Sequence, residues 1–296
     1  MNAKSIAPLL VMPILLVVVE IGAILLSLPL QAAGVVAFQN PESVANPFIF
    51  IAILLGFTVL LLILIKYRFQ NLITAIIMVS IFFTFVYIFG AITFPIFPEG
   101  WASLITPFIL AMVATVILYR FPEWYVIDSL GVLIAAGVAS IFGISLEILP
   151  VIILLIILAV YDAISVYKTK HMITLAEGVL DMKTPILFVI PKRKDYSYIK
   201  EGAGRLGEGE ERGAFIIGMG DLIMPSILVV SSNVFIAAAR LGGFINIPAI
   251  GAMIGSVGGL LVLLHFVSKG KPQAGLPSIN GGAIIGFLIA YALAVL

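Results

Sequence analysis

Cysteine is absent from the 296 residues, which excludes disulfides, thiolate metal sites and a cysteine nucleophile. Charge is scarce. Asp, Glu, Lys and Arg make up 10% of the chain, where a soluble globular domain carries about 25%. A water-soluble fold is thereby excluded, because too few polar side chains are present to cover its surface. Disorder fails on the same count, and the repeats of a coiled coil or a collagen are missing. The net charge is +1, so no bulk field draws nucleic acid to the protein. What abounds is apolar: 62% of residues are hydrophobic and the mean hydropathy is +1.25. The composition predicts a multi-pass protein of the cell membrane, with the lipid bilayer as its solvent.

The charges cluster. Residues 168–212 hold 16 of the 31 charged side chains and form one polar loop. Around it lie nine apolar runs: 7–30, 48–65, 72–94, 102–119, 126–145, 148–167, 213–239, 243–267 and 276–296. Each is long enough for a helix to cross about 30 Å of hydrocarbon, and helices satisfy their own backbone polar groups in lipid. The first run lacks a convincing cleavage site and reads as a retained helix. With the N-terminus in the cytoplasm, strict alternation puts 15 of the 16 Lys and Arg on the cytoplasmic side, with only Arg240 outside. The positive-inside rule therefore selects a cytoplasmic N-terminus and an outer C-terminus. The expected organisation is an N-terminal bundle of helices one to six (1–167), the charged cytoplasmic loop (168–212) and a C-terminal bundle of helices seven to nine (213–296).

Three acidic residues sit well inside these runs: Glu20, Asp162 and Asp221. A charge at the bilayer centre costs at least ~2.5–3.5 kcal/mol, so each is a functional-site candidate. Asp162 precedes Lys168 by six residues and Asp221 follows Arg212 by nine. At 1.5 Å per residue they lie roughly 9 and 13 Å inside the same cytoplasmic edge. Two carboxylates in one low-dielectric pocket share a proton. Such a pair can hydrolyse an amide, one Asp activating water and the other protonating the carbonyl and then the leaving nitrogen. A carboxylate-dependent ion conductor or proton-coupled transporter uses the same groups. Chemistry alone leaves both readings open.

Tyr161-Asp162 on helix six and Gly218-Met219-Gly220-Asp221 on helix seven resemble the YD and GxGD motifs of the presenilin and signal peptide peptidase family. These are aspartic proteases that cut within the membrane. The resemblance extends to the nine-helix plan and to the long loop between the two motifs. It implies an all-α, presenilin-like fold with Asp162 and Asp221 as the catalytic pair, and with Tyr161, Gly218 and Gly220 shaping the site. The family's third element, Pro-Ala-Leu at the start of helix nine, is matched by Leu276-Pro277-Ser278-Ile279. The Pro is kept, while Ser278 and Ile279 replace Ala and Leu. The resemblance also implies transmembrane substrate helices with an outer N-terminus, a water-filled cavity open to the cytoplasm, and no metal or organic cofactor. Nothing in the sequence selects an oligomeric state.

Other features carry structural expectations. Gly251, Gly255 and Gly259, like Gly282 and Gly286, recur every four residues and predict close helix contact. Glu20 is left without a catalytic role. His171 and His265 read as lone interfacial residues, and no spacing suggests a metal site. In the loop, residues 173–182 predict an amphipathic surface helix. Residues 185–191, a β-branched apolar run between prolines, predict a strand, and this strand or one it induces is expected to pair with substrate. Residues 202–207 match G-x-G-x-x-G, but no helix or βαβ unit follows, so a flexible linker is expected there.

Overall fold

The computed structural model describes residues 3–97, 100–169, 187–193, 195–202, 213–267 and 273–295. The predicted loop features at 173–182, most of 202–207 and His171 lie outside the described residues. Among the described residues, nine long helices follow the apolar runs: α1 (Ala3–Ala32), α2 (Ala45–Lys66), α3 (Gln70–Thr93), α4 (Trp101–Arg120), α5 (Trp124–Gly143), α6 (Ile148–Ile164), α7 (Met219–Phe235), α8 (Ile247–Val267) and α9 (Leu276–Val295). Eight are long and apolar enough to cross a membrane, and α7, with 17 residues, is a shorter apolar helix. The protein is thus a polytopic helical membrane protein.

Helix α7 is the axis of the bundle. Its residues from Pro225 to Asn233 are all buried, and α1, α5, α6, α8 and α9 pack around it. Small and hydroxylated side chains permit this. Ser226 and Ser232 return their hydroxyls to the carbonyls of Leu222 and Leu228, so the helix hides polar atoms within its own turns. Helices α2 and α4 behave differently. Phe48, Ile53, Leu104 and Ile109 are more than 45% exposed, as expected of side chains that face lipid tails rather than water.

Two departures from a simple helical reading occur beside the charged loop. The seventh apolar run is not one helix. Its first part, β2 (Ala214–Gly218), is a strand, paired antiparallel with β1 (Leu187–Pro191) in the register Leu187↔Gly218 to Pro191↔Ala214. The physical reason is local: Phe-Ile-Ile between glycines suits a pleated strand, and the Leu-Phe-Val-Ile run supplies its partner. The predicted strand at 185–191 therefore exists from Leu187, and its partner within the chain is β2. In addition, α6 widens into a π turn at Ser165–Thr169, a distortion often found at functional sites.

Helices α8 and α9 touch backbone to backbone. A Cβ on Gly255 would strike the Gly282 carbonyl, and one on Gly259 would strike the Ser278 carbonyl. This confirms the predicted small-residue faces. At the opposite end, β3 (Arg240–Leu241) and β4 (Ile245–Asn246) form a short hairpin before α8. Its turn needs positive φ at Gly242 and Gly243 (60° and 72°), which only glycine adopts without strain.

Candidate active site

Asp162 lies near the end of α6, on its last full α-helical turn before the π turn, and is 8% exposed. Asp221 is the third residue of α7 and sits in the first turn of that helix. Because residues 214–218 are strand, Asp221 stands at a helix N-terminus rather than deep within a helix. There the helix dipole favours negative charge. Gly218 closes β2 and serves as the N-cap of α7. A Cβ on Gly218 would lie 3.5 Å from Asp221 Oδ2, so the glycine lets strand and carboxylate lie together, whereas Gly220 faces open space.

The two carboxylates meet a common third element. The Leu276 N–H donates to Asp162 Oδ2 at 3.0 Å, and the Gly275 amide faces the same carboxylate. On its other side Gly275 abuts Asp221: a Cβ there would sit 3.2 Å from Oδ2 and 3.3 Å from Oδ1. Asp162 and Asp221 both adjoin the same backbone link. Residues from α6, α7 and the start of α9 thus converge on the Gly275–Leu276 link.

The remaining predicted site residues are placed unequally. Tyr161 is partly buried on α6, and Pro277 occupies the first turn of α9, where its missing N–H costs nothing. Ser278 lines the groove between α8 and α9. Ile279 is fully buried in the core, and its Cα is 2.9 Å from the Cβ position of Gly259. The backbone of these two residues seats α9 on α8, and Leu276 is the member that touches a carboxylate.

Three contributors escaped the sequence reading. Tyr167, in the π turn, donates its hydroxyl to Gln273 Oε1 at 2.9 Å and accepts the Ala274 N–H at 3.3 Å. It therefore ties the end of α6 to the segment that approaches both carboxylates. Asp128, on α5, accepts the Val189 N–H at 2.8 Å. Glu123, at the start of α5, accepts from Ser197 Oγ at 2.6 Å and from the Tyr198 N–H at 3.0 Å. The only signal was an acidic residue at the edge of an apolar run. Glu20 is fully buried, accepts from Ser256 Oγ at 2.7 Å, and stands apart from this cluster. Among the described residues no group of three or more His, Asp or Glu could hold a metal.

The comparisons agree with this geometry. The profile of the family described as signal-peptide peptidase, presenilin aspartyl protease matches residues 13–295. The chain belongs to that family. Two crystal structures of a presenilin family intramembrane aspartate protease are similar to it. One, in space group C222, shares 52% identity with a TM-score of 0.73, covering 97% of this chain and 100% of the other. The second, in space group P2, shares 53% identity with a TM-score of 0.72, covering 97% and 98%. A search of curated proteins gave no match. The protein is a multi-pass intramembrane aspartic endopeptidase.

Proposed function

We propose that Asp162 and Asp221 are the catalytic pair and that they hydrolyse peptide bonds of transmembrane helices. The observation that carries this reading is their shared contact with the Gly275–Leu276 link, which joins both motif aspartates to the start of α9. One Asp takes a proton from a bound water, which attacks the scissile carbonyl. The other protonates the carbonyl oxygen and later the leaving nitrogen. Tyr161, Gly218, Gly220 and the segment from Leu276 to Ile279 shape the site.

A helical substrate hides its amides, so it must unwind before hydrolysis. The β1–β2 sheet has two strands. Its hydrogen bonds alternate, and Lys192 N–H donates to the Gly213 carbonyl. The backbone groups of Ala214, Ile216 and Gly218 therefore face away from β1. An unwound substrate strand adds to that edge, which leads directly to Asp221.

The N-terminus is cytoplasmic and the C-terminus outside, which puts the site at cytoplasmic depth in the cell membrane, and water reaches it from that side. Residues 1–167, 168–212 and 213–296 form the N-terminal bundle, loop and C-terminal bundle. The test is incubation of purified protein with a membrane-spanning peptide, with products read by mass spectrometry. Asp162→Asn and Asp221→Asn each abolish cleavage. Flux through liposomes that depends on both residues, with no peptide products, would refute the reading in favour of transport.

A further inference from the structure

Asp128 is the one acidic side chain on α5 between Trp124 and Gly143, and the hydrolytic scheme does not use it. Its Oδ1 lies 2.8 Å from the Val189 nitrogen, across 61 residues of chain. Val189 is the centre of β1 and faces Ile216 of β2. Since Lys192 N–H bonds to β2, alternation turns the Val189 N–H to the outer edge of β1. Asp128 fills that edge. The bond joins two elements far apart in sequence, so a single side chain anchors the strand.

The anchor has a seat beside it. Gly131, three residues further and on the same face of α5, leaves room for two side chains. A Cβ there would lie 2.7 Å from Met219 Cε and 3.1 Å from Phe188 Cε1. Phe188 belongs to β1, and Met219 is the first residue of α7. One face of α5 therefore holds the outer strand and the start of the helix that carries Asp221. The linkage runs from Asp128 to Val189, across the register to Ile216, and through Gly218 to Asp221.

We propose that Asp128 is a positioning residue for the protease site. By holding the Val189 N–H it fixes the strand pair that sets where Asp221 stands, and it occupies the outer edge of β1 while the outer edge of β2 stays open to a substrate strand. This rests on the two-aspartate reading above. Misplacement of a reacting group by about 1 Å can cost 10²-fold in rate, so the effect falls on kcat and on where the substrate is cut.

The test compares Asp128→Asn with Asp128→Leu in the purified full chain, using a membrane-spanning peptide and mass spectrometry of products. Asn keeps an oxygen acceptor. It retains about half or more of the wild-type kcat and the same cut position, because the geometry survives. Leu lowers kcat by about tenfold or more with KM within about twofold, and spreads cleavage over neighbouring bonds. The Val189 amide exchanges hydrogen faster in Leu than in Asn. If Asp128→Leu does not fold, Asp128→Ser, whose hydroxyl is too short to reach, replaces it. Wild-type rate and cut position in Leu or Ser, or a loss in Asn equal to that in Leu, overturns the proposal. Cleavage by Asp221→Asn would refute the two-aspartate reading instead, whatever Asp128 does.

Discussion

The Leu276 N–H reaches Asp162 across 114 residues of sequence, and 3.0 Å separate the nitrogen from Oδ2. The amide belongs to the first residue of α9, which has no partner within its own helix. The helix terminus and the carboxylate therefore complete each other. Glycine just before this amide lets the backbone lie close against the Asp221 carboxylate.

Gly275→Ala tests that closeness. The new Cβ would lie 3.2 Å from Asp221 Oδ2, tighter than ordinary contact, and the carboxylate must give way by a few tenths of an ångström. The expected result is a several-fold fall in kcat with an unchanged thermal midpoint, read by peptide cleavage and differential scanning fluorimetry. A midpoint drop that accounts for the lost activity would show that the methyl disturbs the fold rather than the site.

Tyr167→Phe removes one hydroxyl that makes two bonds, to Gln273 and to the Ala274 N–H. Tyr167 is 55% exposed, so the stability loss stays within about 1 kcal/mol. Turnover falls further than stability does, since the freed segment leads straight to Gly275. Equal cleavage rates for Phe and wild type would remove Tyr167 from the site.

These contacts show where the sequence was legible. The apolar runs gave eight helices to within a few residues because lipid admits few alternatives. The glycine faces of α8 and α9 were readable from their spacing. Asp162 and Asp221 stood out as charges in lipid. Strand β2 was not readable as such, since Ala-Phe-Ile-Ile suits a membrane helix as well as a strand, and its partner lies 23 residues upstream even at the near ends, where Pro191 pairs with Ala214. Tyr167 and Asp128 were illegible for another reason. Their roles depend on partners 106 and 61 residues away, and neither stands out in a local window.

Glu20 provides a separate measurement of buried polarity. Its Oε1 accepts from Ser256, and its Oε2 has no hydrogen-bond partner among the described residues. Glu20→Gln keeps the acceptor and shifts the thermal midpoint little. Glu20→Ala opens a hole and leaves the Ser256 hydroxyl only the Met253 carbonyl, at a cost of about 2–4 kcal/mol. Matching midpoints for the two variants would mean that the Ser256 bond contributes nothing.

Tyr196 responds to alkali. Its hydroxyl donates to the Gly202 carbonyl at 2.7 Å. Burial foremost, then the neighbouring Tyr198, Glu201 and Glu123, hold its pKa above the ordinary value of 10.0. Burial raises Tyr198 as well. A raised tyrosine favours the folded state fully below pH 10, and this contribution is lost as pH rises from there through the folded-state value. Hydrogen exchange of residues 196–202 should therefore quicken above pH 10 in the wild type and do so less in Tyr196→Phe. Identical profiles would assign the loosening to other groups.

Where α8 crosses α9, main chain rests on main chain, and a side chain even as small as alanine at Gly255 or Gly259 has no room. Such a seam has no play. The pair must travel as one plank, carrying Leu276 with it, so any gap that admits a guest helix opens along some other boundary of the barrel of helices, and prying at this one would dismantle the scissors before they close.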